Sequence, residues 1–302
     1  MGVALALCVL PATAAFADIV IDGPIDLGSA DTYGVLGFST VTNTGPTVVT
    51  GDVGLYSGTS ITGFPPGVVV GGAMHLTDAH AQQAQIDNTT AYNVAASLTP
   101  TATSPVELAG ESLTPGVYSG GALLLSDNGV LTLDGSAASV WVFQASSSLT
   151  IGSATSIVMT GGASPCNVFW QVGSSATLGT TADFVGTILA LESITATTNA
   201  TVAGRLFAQT GAVTLDSNII TAPVSCPPAG VVTDTTPPVV TAPVVPPVTP
   251  PATDGVGATD QQQMLAATGS ESTPLIGLAA LTIATGLGLL TLQRLRARRT
   301  TG

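Results

Sequence analysis

Few side chains in this 302-residue sequence have the types and spacing that bond-making chemistry needs. The only histidines, His75 and His80, sit too close together in sequence to suggest a dispersed nucleophile–base–acid arrangement. They could ligate a metal, but a pair at the start of a helix is more often solvated, so no metal site is expected. Glu107 and Glu111 have no basic or metal partner in view, and the remaining acids are scattered. Arg205 is the single basic residue ahead of Arg294. No catalytic constellation emerges, so neither an enzyme nor a cofactor is expected.

Charge narrows the partners further. The formal net charge is −13, there is no lysine, and four of the five basic residues are Arg294, Arg296, Arg298 and Arg299. The rest of the chain would repel a phosphate backbone, which excludes nucleic acid, and an anionic membrane surface is disfavoured for the same reason. Charged residues make up only 8% of the chain, so solubility must rest on Ser, Thr, Asn and Gly. Of three cysteines, Cys8 falls in an N-terminal apolar run, leaving Cys166 and Cys226. In an oxidising compartment an even pair suggests a disulfide; two buried free thiols are the alternative.

The residues that recur are threonines. Leu149-Thr150-Ile151, Ala176-Thr177-Leu178, Ile194-Thr195-Ala196 and Val213-Thr214-Leu215 repeat one apolar-Thr-apolar pattern, with the threonines 27, 18 and 19 residues apart. Each is preceded by a wholly apolar strand (Val140 to Phe143, Val168 to Trp170, Ile188 to Ala190, Leu206 to Ala208) and followed by a third apolar one. Three short strands per turn, repeated, describe a triangular β-solenoid. The longest rung carries the insertion from Gly161 to Cys166. Alternation along a strand turns the flanking Leu, Ile and Val inwards and Thr150, Thr177, Thr195 and Thr214 outwards. Rungs stack about 4.7–4.9 Å apart, so these hydroxyls form a regular column. Leu131-Thr132-Leu133 looks alike but directly precedes Trp141, which places it on the third face. The first strand is apolar on both sides and needs an outer cover. Residues 77–98 lack Gly and Pro and put Ala84, Asn88, Ala91, Ala95 and Leu98 on one face, predicting a helix about as long as six rungs are tall.

The ends read differently. Residues 1–17 are apolar and finish Ala15-Phe16-Ala17, the pattern of a secretory signal. Residues 18–226 form the working domain. Residues 227–263 are rich in Pro and Thr, a stalk that polyproline II geometry would extend to roughly 100 Å. Residues 264–302 hold Leu265, Ala266, Ala267, Thr268 and Gly269, then an apolar run at 275–292 long enough to span a bilayer, then the arginines. That order resembles a sortase sorting signal of the LPxTG type, in the LAxTG form of high-GC Gram-positive bacteria, with Ala266 replacing the usual proline. The resemblance implies cleavage after Thr268 and its attachment to peptidoglycan. The expectation is a secreted, wall-anchored monomer that meets the membrane only through its C-terminal segment.

Residues 18–226 also resemble the DUF3494 ice-binding proteins. The likeness rests on Leu27-Gly28 with Tyr33-Gly34-Val35-Leu36, Thr50-Gly51-Asp52-Val53-Gly54, Ile61-Thr62-Gly63-Phe64, Pro115-Gly116-Val117-Tyr118, Trp141-Val142-Phe143-Gln144, the run from Asn167 to Gly173, and Gly204-Arg205. It implies a mostly β fold, a discontinuous right-handed solenoid with one long helix alongside, and ice bound on one flat face. The column from Thr150 to Thr214 falls on the corresponding strands. Thr62 maps to the same face, and Leu124 sits where a small polar residue is often found. A column of stiff β-branched threonines without charge suits an ice lattice, since little side-chain entropy is lost on contact.

Rival readings come from other classes. A surface adhesin for a glycan or another cell would need exposed aromatics, whereas Trp141 and Trp170 lie in apolar strands and read as core. Solenoids also include polysaccharide lyases, which need a Lys or Arg base and often clustered carboxylates for calcium. Arg205 stands alone.

Overall fold

The computed structural model of the protein describes residues 19–224, 226 and 231–234. The leader, the sorting motif at 265–269, the apolar run at 275–292 and the terminal arginines lie outside the described residues. So does most of the stalk, although Val231–Asp234 forms a strand antiparallel to Ile19–Asp22.

Short β-branched segments broken by Gly, Ser and Asn stack into a three-faced parallel solenoid. The first face includes Gly116–Gly120, Trp141–Ala145 and Val168–Val172, then the second halves of Asp183–Ala190 and Thr201–Ala208, then Tyr33–Gly37, Asp52–Leu55 and Met74–Leu76. The second runs Leu123–Leu125, Leu149–Ile151, Ala176–Leu178, Ile194–Ala196, Val213–Asp216, Thr40–Thr44 and Ser60–Thr62. The third holds Val130–Asp134, Ser156–Thr160, the first halves of the two eight-residue strands, Ile219–Thr221, Val48–Thr50 and Val68–Val70. Thr132 is on this third face, as its sequence context requires.

Spatial order departs from chain order. The chain begins in mid-stack, climbs through three rungs to Met74–Leu76, and crosses to the far end through the helix. It then winds back until Leu206 pairs with Val35, Thr214 with Thr42 and Ile220 with Val49. The solenoid is therefore discontinuous. At the corner between third and first faces, Gly186 takes φ +109°, and a Cβ on Gly204 would meet the Gly186 carbonyl oxygen at 1.8 Å. Only glycine lets the two long strands turn there in contact.

The helix is Ala79–Ser97, within the predicted span, with Asp78 as N-cap accepting from the Ala81 amide at 2.8 Å. It stops at Leu98, ahead of Pro100. Nineteen residues at 1.5 Å give about 28 Å, close to the roughly 29 Å spanned by seven stacked rungs. Its small inner residues Ala84, Ala91 and Ala95 pack on Leu36, Val142, Phe169, Leu189 and Phe207, the outward apolar residues of the first face. Two glutamines fix its position. Gln85 donates to the carbonyls of Gly37 and Ala208, and Gln144 donates to those of Ala95 and Leu98.

The interior is separate from this layer. Tyr118, Phe143 and Trp170 are neighbours in register on the first face, and their inward rings stack with centroids 5.6 and 4.0 Å apart. Both tryptophans are fully buried, with Trp141 donating to the Leu113 carbonyl and Trp170 to that of Val185. They are core, not a sugar-stacking platform.

Candidate functional site: the threonine face

In the strands of the second face, the residues flanking each central threonine are buried while the threonine points out. Register aligns these threonines without a slip. Leu124 lies opposite Thr150, Thr150 opposite Thr177, Thr177 opposite Thr195, and Thr195 opposite Thr214. Thr214 then meets Thr42, and Thr42 meets Thr62. Six threonines thus stand in one unbroken file about 4.8 Å apart, with Leu124 at its end. Thr150, Thr177, Thr214, Thr42 and Thr62 are exposed, and Thr195 is half-buried.

Thr42 was not recognisable from the repeat, because the position after it is Asn43 rather than an apolar residue. Asn43 is buried, its amide donating to the carbonyls of Gly45 and Gly63 at 2.9 and 2.8 Å. An inward amide ties the strand corners together there and breaks the pattern while keeping the threonine outward. The available signal was the alternation Thr40-Val41-Thr42-Asn43-Thr44.

A second file was also missed. Two residues before each central threonine stand Ser148, Ser175, Ser193, Ala212, Thr40 and Ser60. Backbone bonds from Leu149 to Ser175, Ala176 to Ser193 and Ile194 to Ala212 carry the ladder through these positions. Alternation puts them on the same side as the threonines. The face is consequently two files wide and made of small side chains.

Neither file carries an ionisable group, and carboxylates stand at the margins. Glu107 pairs with Leu124 beyond the end of the threonine file. Its carboxylate accepts from the Ser126 hydroxyl and from the amides of Ser126 and Ala109, which hold its pKa below the usual range. Asp216 closes the Val213–Asp216 strand and accepts from the Thr198 hydroxyl at 2.5 Å.

The other candidates fall elsewhere. Arg205 is 1% exposed, and its guanidinium donates to the Asp31 carbonyl and carboxylate and to the Pro223 carbonyl. Burial lowers its pKa while Asp31 opposes that shift. It is a structural clamp. Cys166 and Cys226 are joined in a disulfide beside it. Glu111 lies apart from the face, exposed ahead of Ser112–Leu113. His75 and His80 are not simply solvated: their rings stack, centroids 4.5 Å apart, next to Asp52.

The family model for ice-binding-like proteins matches residues 35–221. This chain belongs to that family. Among its relatives, an ice-binding protein of Nostoc sp. (strain HG1) is 53% identical over 196 residues, covering 64% of this chain and 72% of the relative. An ice-binding protein of Colwellia sp. is 36% identical, covering 68% and 87%. The crystal structure of an ice-binding protein from an Antarctic biological consortium matches with TM-score 0.64 and 44% identity, covering 71% of this chain and 96% of the other. That from the Antarctic ascomycete Antarctomyces psychrotrophicus matches with TM-score 0.63 and 44% identity, covering 67% and 100%. The solenoid with its lateral helix is thus the family's architecture.

Proposed function

We propose that the protein adsorbs to ice through the second face and restrains the growth or recrystallisation of ice, with no catalytic step. The observation that carries this reading is the in-register file from Thr150 to Thr62. It is a regular array of methyl and hydroxyl groups at one repeat distance, on side chains whose χ1 is already restricted. Such a surface orders water between its threonines at little entropic cost. Adsorbed molecules then pin an advancing ice front and curve it between anchor points.

The test is ice recrystallisation inhibition by the full chain beside a Thr177→Tyr, Thr195→Tyr double variant of unchanged melting temperature. Loss of activity in the variant is the expected result. Equal activity in both would move the site to another face, and inactivity of both would favour a glycan or cell adhesin.

The order of signal, stalk, Leu265 to Gly269 motif, apolar run and arginines supports a further reading, that the protein is secreted and joined to peptidoglycan through Thr268. A monomer displayed in this way would hold a cell to ice or protect its surroundings. Thr268→Ala should release the protein from the wall fraction; its retention there would count against sortase anchoring.

A further inference from the structure

We propose that Asp52, His75 and His80 form a binding site for a divalent transition cation of the zinc type, clamping the start of the helix to the end rungs of the first face. The three residues come from different elements: Asp52 from Asp52–Leu55, His75 from the neighbouring Met74–Leu76 and His80 from the first turn of the helix. Each offers one ligand atom, and these atoms lie within 4.8 Å of one another. Two imidazoles and a carboxylate are a donor set that suits zinc and its neighbours, with a remaining position for water.

The surroundings favour ligation over a chance meeting of side chains. His75 Nδ1 is 2.8 Å from Asp78 Oδ2, and His80 Nδ1 is 2.6 Å from the Tyr33 hydroxyl. With each Nδ1–H donating to its oxygen, both Nε2 atoms present lone pairs, and the rings are held in orientation. Asp52 Oδ1 accepts from the Ala73 amide at 2.7 Å, which fixes that carboxylate next to His75 and leaves it lone pairs with which to ligate. Tyr33 is itself fully buried, which keeps its hydroxyl in place beside His80.

Zinc–nitrogen and zinc–oxygen bonds of about 2.0–2.2 Å put tetrahedral ligands roughly 3.4 Å apart. The His75 Nε2–Asp52 Oδ1 distance is 4.0 Å and the ligand atoms lie within 4.8 Å of one another, so closure needs these separations to shorten by about 0.6 to 1.4 Å, shared between side chains at the surface. His80 is exposed and His75 and Asp52 only half-buried, which leaves room for that adjustment.

The chain contains only two histidines, so imidazole ligation has one assignment. The full chain, made without a histidine tag, is titrated with cobalt(II), followed by visible absorption and displacement with zinc(II). Thermal melting is recorded with and without metal. One cobalt per chain is expected, with the visible bands of a low-coordinate site and a melting temperature raised by zinc. His75→Gln and His80→Gln should each abolish the bands and the thermal shift while melting as the metal-free parent does. Asp78→Asn keeps a good helix cap but removes the charge on His75, and should weaken binding about tenfold. No saturable cobalt or zinc binding would overturn the site. So would binding that survives in a His75→Gln, His80→Gln double variant.

Discussion

At the scale of single residues, the threonine face depends on what flanks each threonine inwardly. A β-branched residue pointing out needs buried neighbours to hold the strand, and Leu149, Ile151, Val213 and Leu215 supply them. That pairing is why Thr150, Thr177, Thr195 and Thr214 were legible in the sequence, and why Thr42 was not. Its inward neighbour Asn43 is held by hydrogen bonds that no spacing rule announces. Leu124 is the position where the face departs from its own pattern. It is half-buried and in register with Thr150. Leu124→Thr would extend the file by one hydroxyl without disturbing Leu123 or Leu125, which are buried behind it. The expected outcome is recrystallisation inhibition at a lower protein concentration, by about twofold, with a melting temperature within about 3 °C of the parent. Unchanged inhibition would mean that the effective face stops at Thr150.

At the scale of elements, the helix and the short 3-10 turn Gly28–Thr32 hold one another. Asp87 accepts from the amide of Ser29 at 2.8 Å, from the Ser29 hydroxyl, and from Gln83 at 2.9 Å. Burial alone would raise its pKa, but the bonds from Ser29 and Gln83 outweigh it, and the carboxyl is held below its ordinary value. A group depressed in the folded state contributes stability above its unfolded pKa, near 3.9, and loses it as pH falls through the folded value. The parent should therefore lose melting temperature below about pH 4 more steeply than Asp87→Asn, which carries no charge to neutralise. Parallel acid limbs in the two proteins would show that Asp87 contributes nothing to acid sensitivity. The helix itself was readable from its spacing of small residues and its freedom from Gly and Pro. Its contact with Ser29 was not, because nothing local in sequence links positions 29 and 87. The same blindness hid the meeting of His75 and His80 with Asp52 and Tyr33.

At the scale of the molecule, chain order and stacking order disagree, and the repeat in the second half of the sequence could not show that the first rungs stack beneath the last. Thr42 and Thr214 are neighbours because Leu206 has already met Val35. This junction is closed from outside by Arg205, which binds Asp31 and Pro223, and by the Cys166–Cys226 disulfide across 60 residues. A loop of that length is worth about 4 kcal/mol in lost unfolded-state entropy. A Cys166→Ala, Cys226→Ala variant should melt roughly 8–16 °C lower, whereas a fall under about 2 °C would show that Arg205 and packing suffice. The position of the disulfide has a mechanical consequence. Cys166 lies in the short turn Pro165–Asn167, at the edge where the third face meets the first, opposite the threonine face and well inside the stack. A load applied beyond Asp234 meets the Val231–Asp234 and Ile19–Asp22 pair first; once that pair parts, the load enters the solenoid through the disulfide at a middle rung, and the end strands are spared the peeling geometry in which hydrogen bonds fail one at a time.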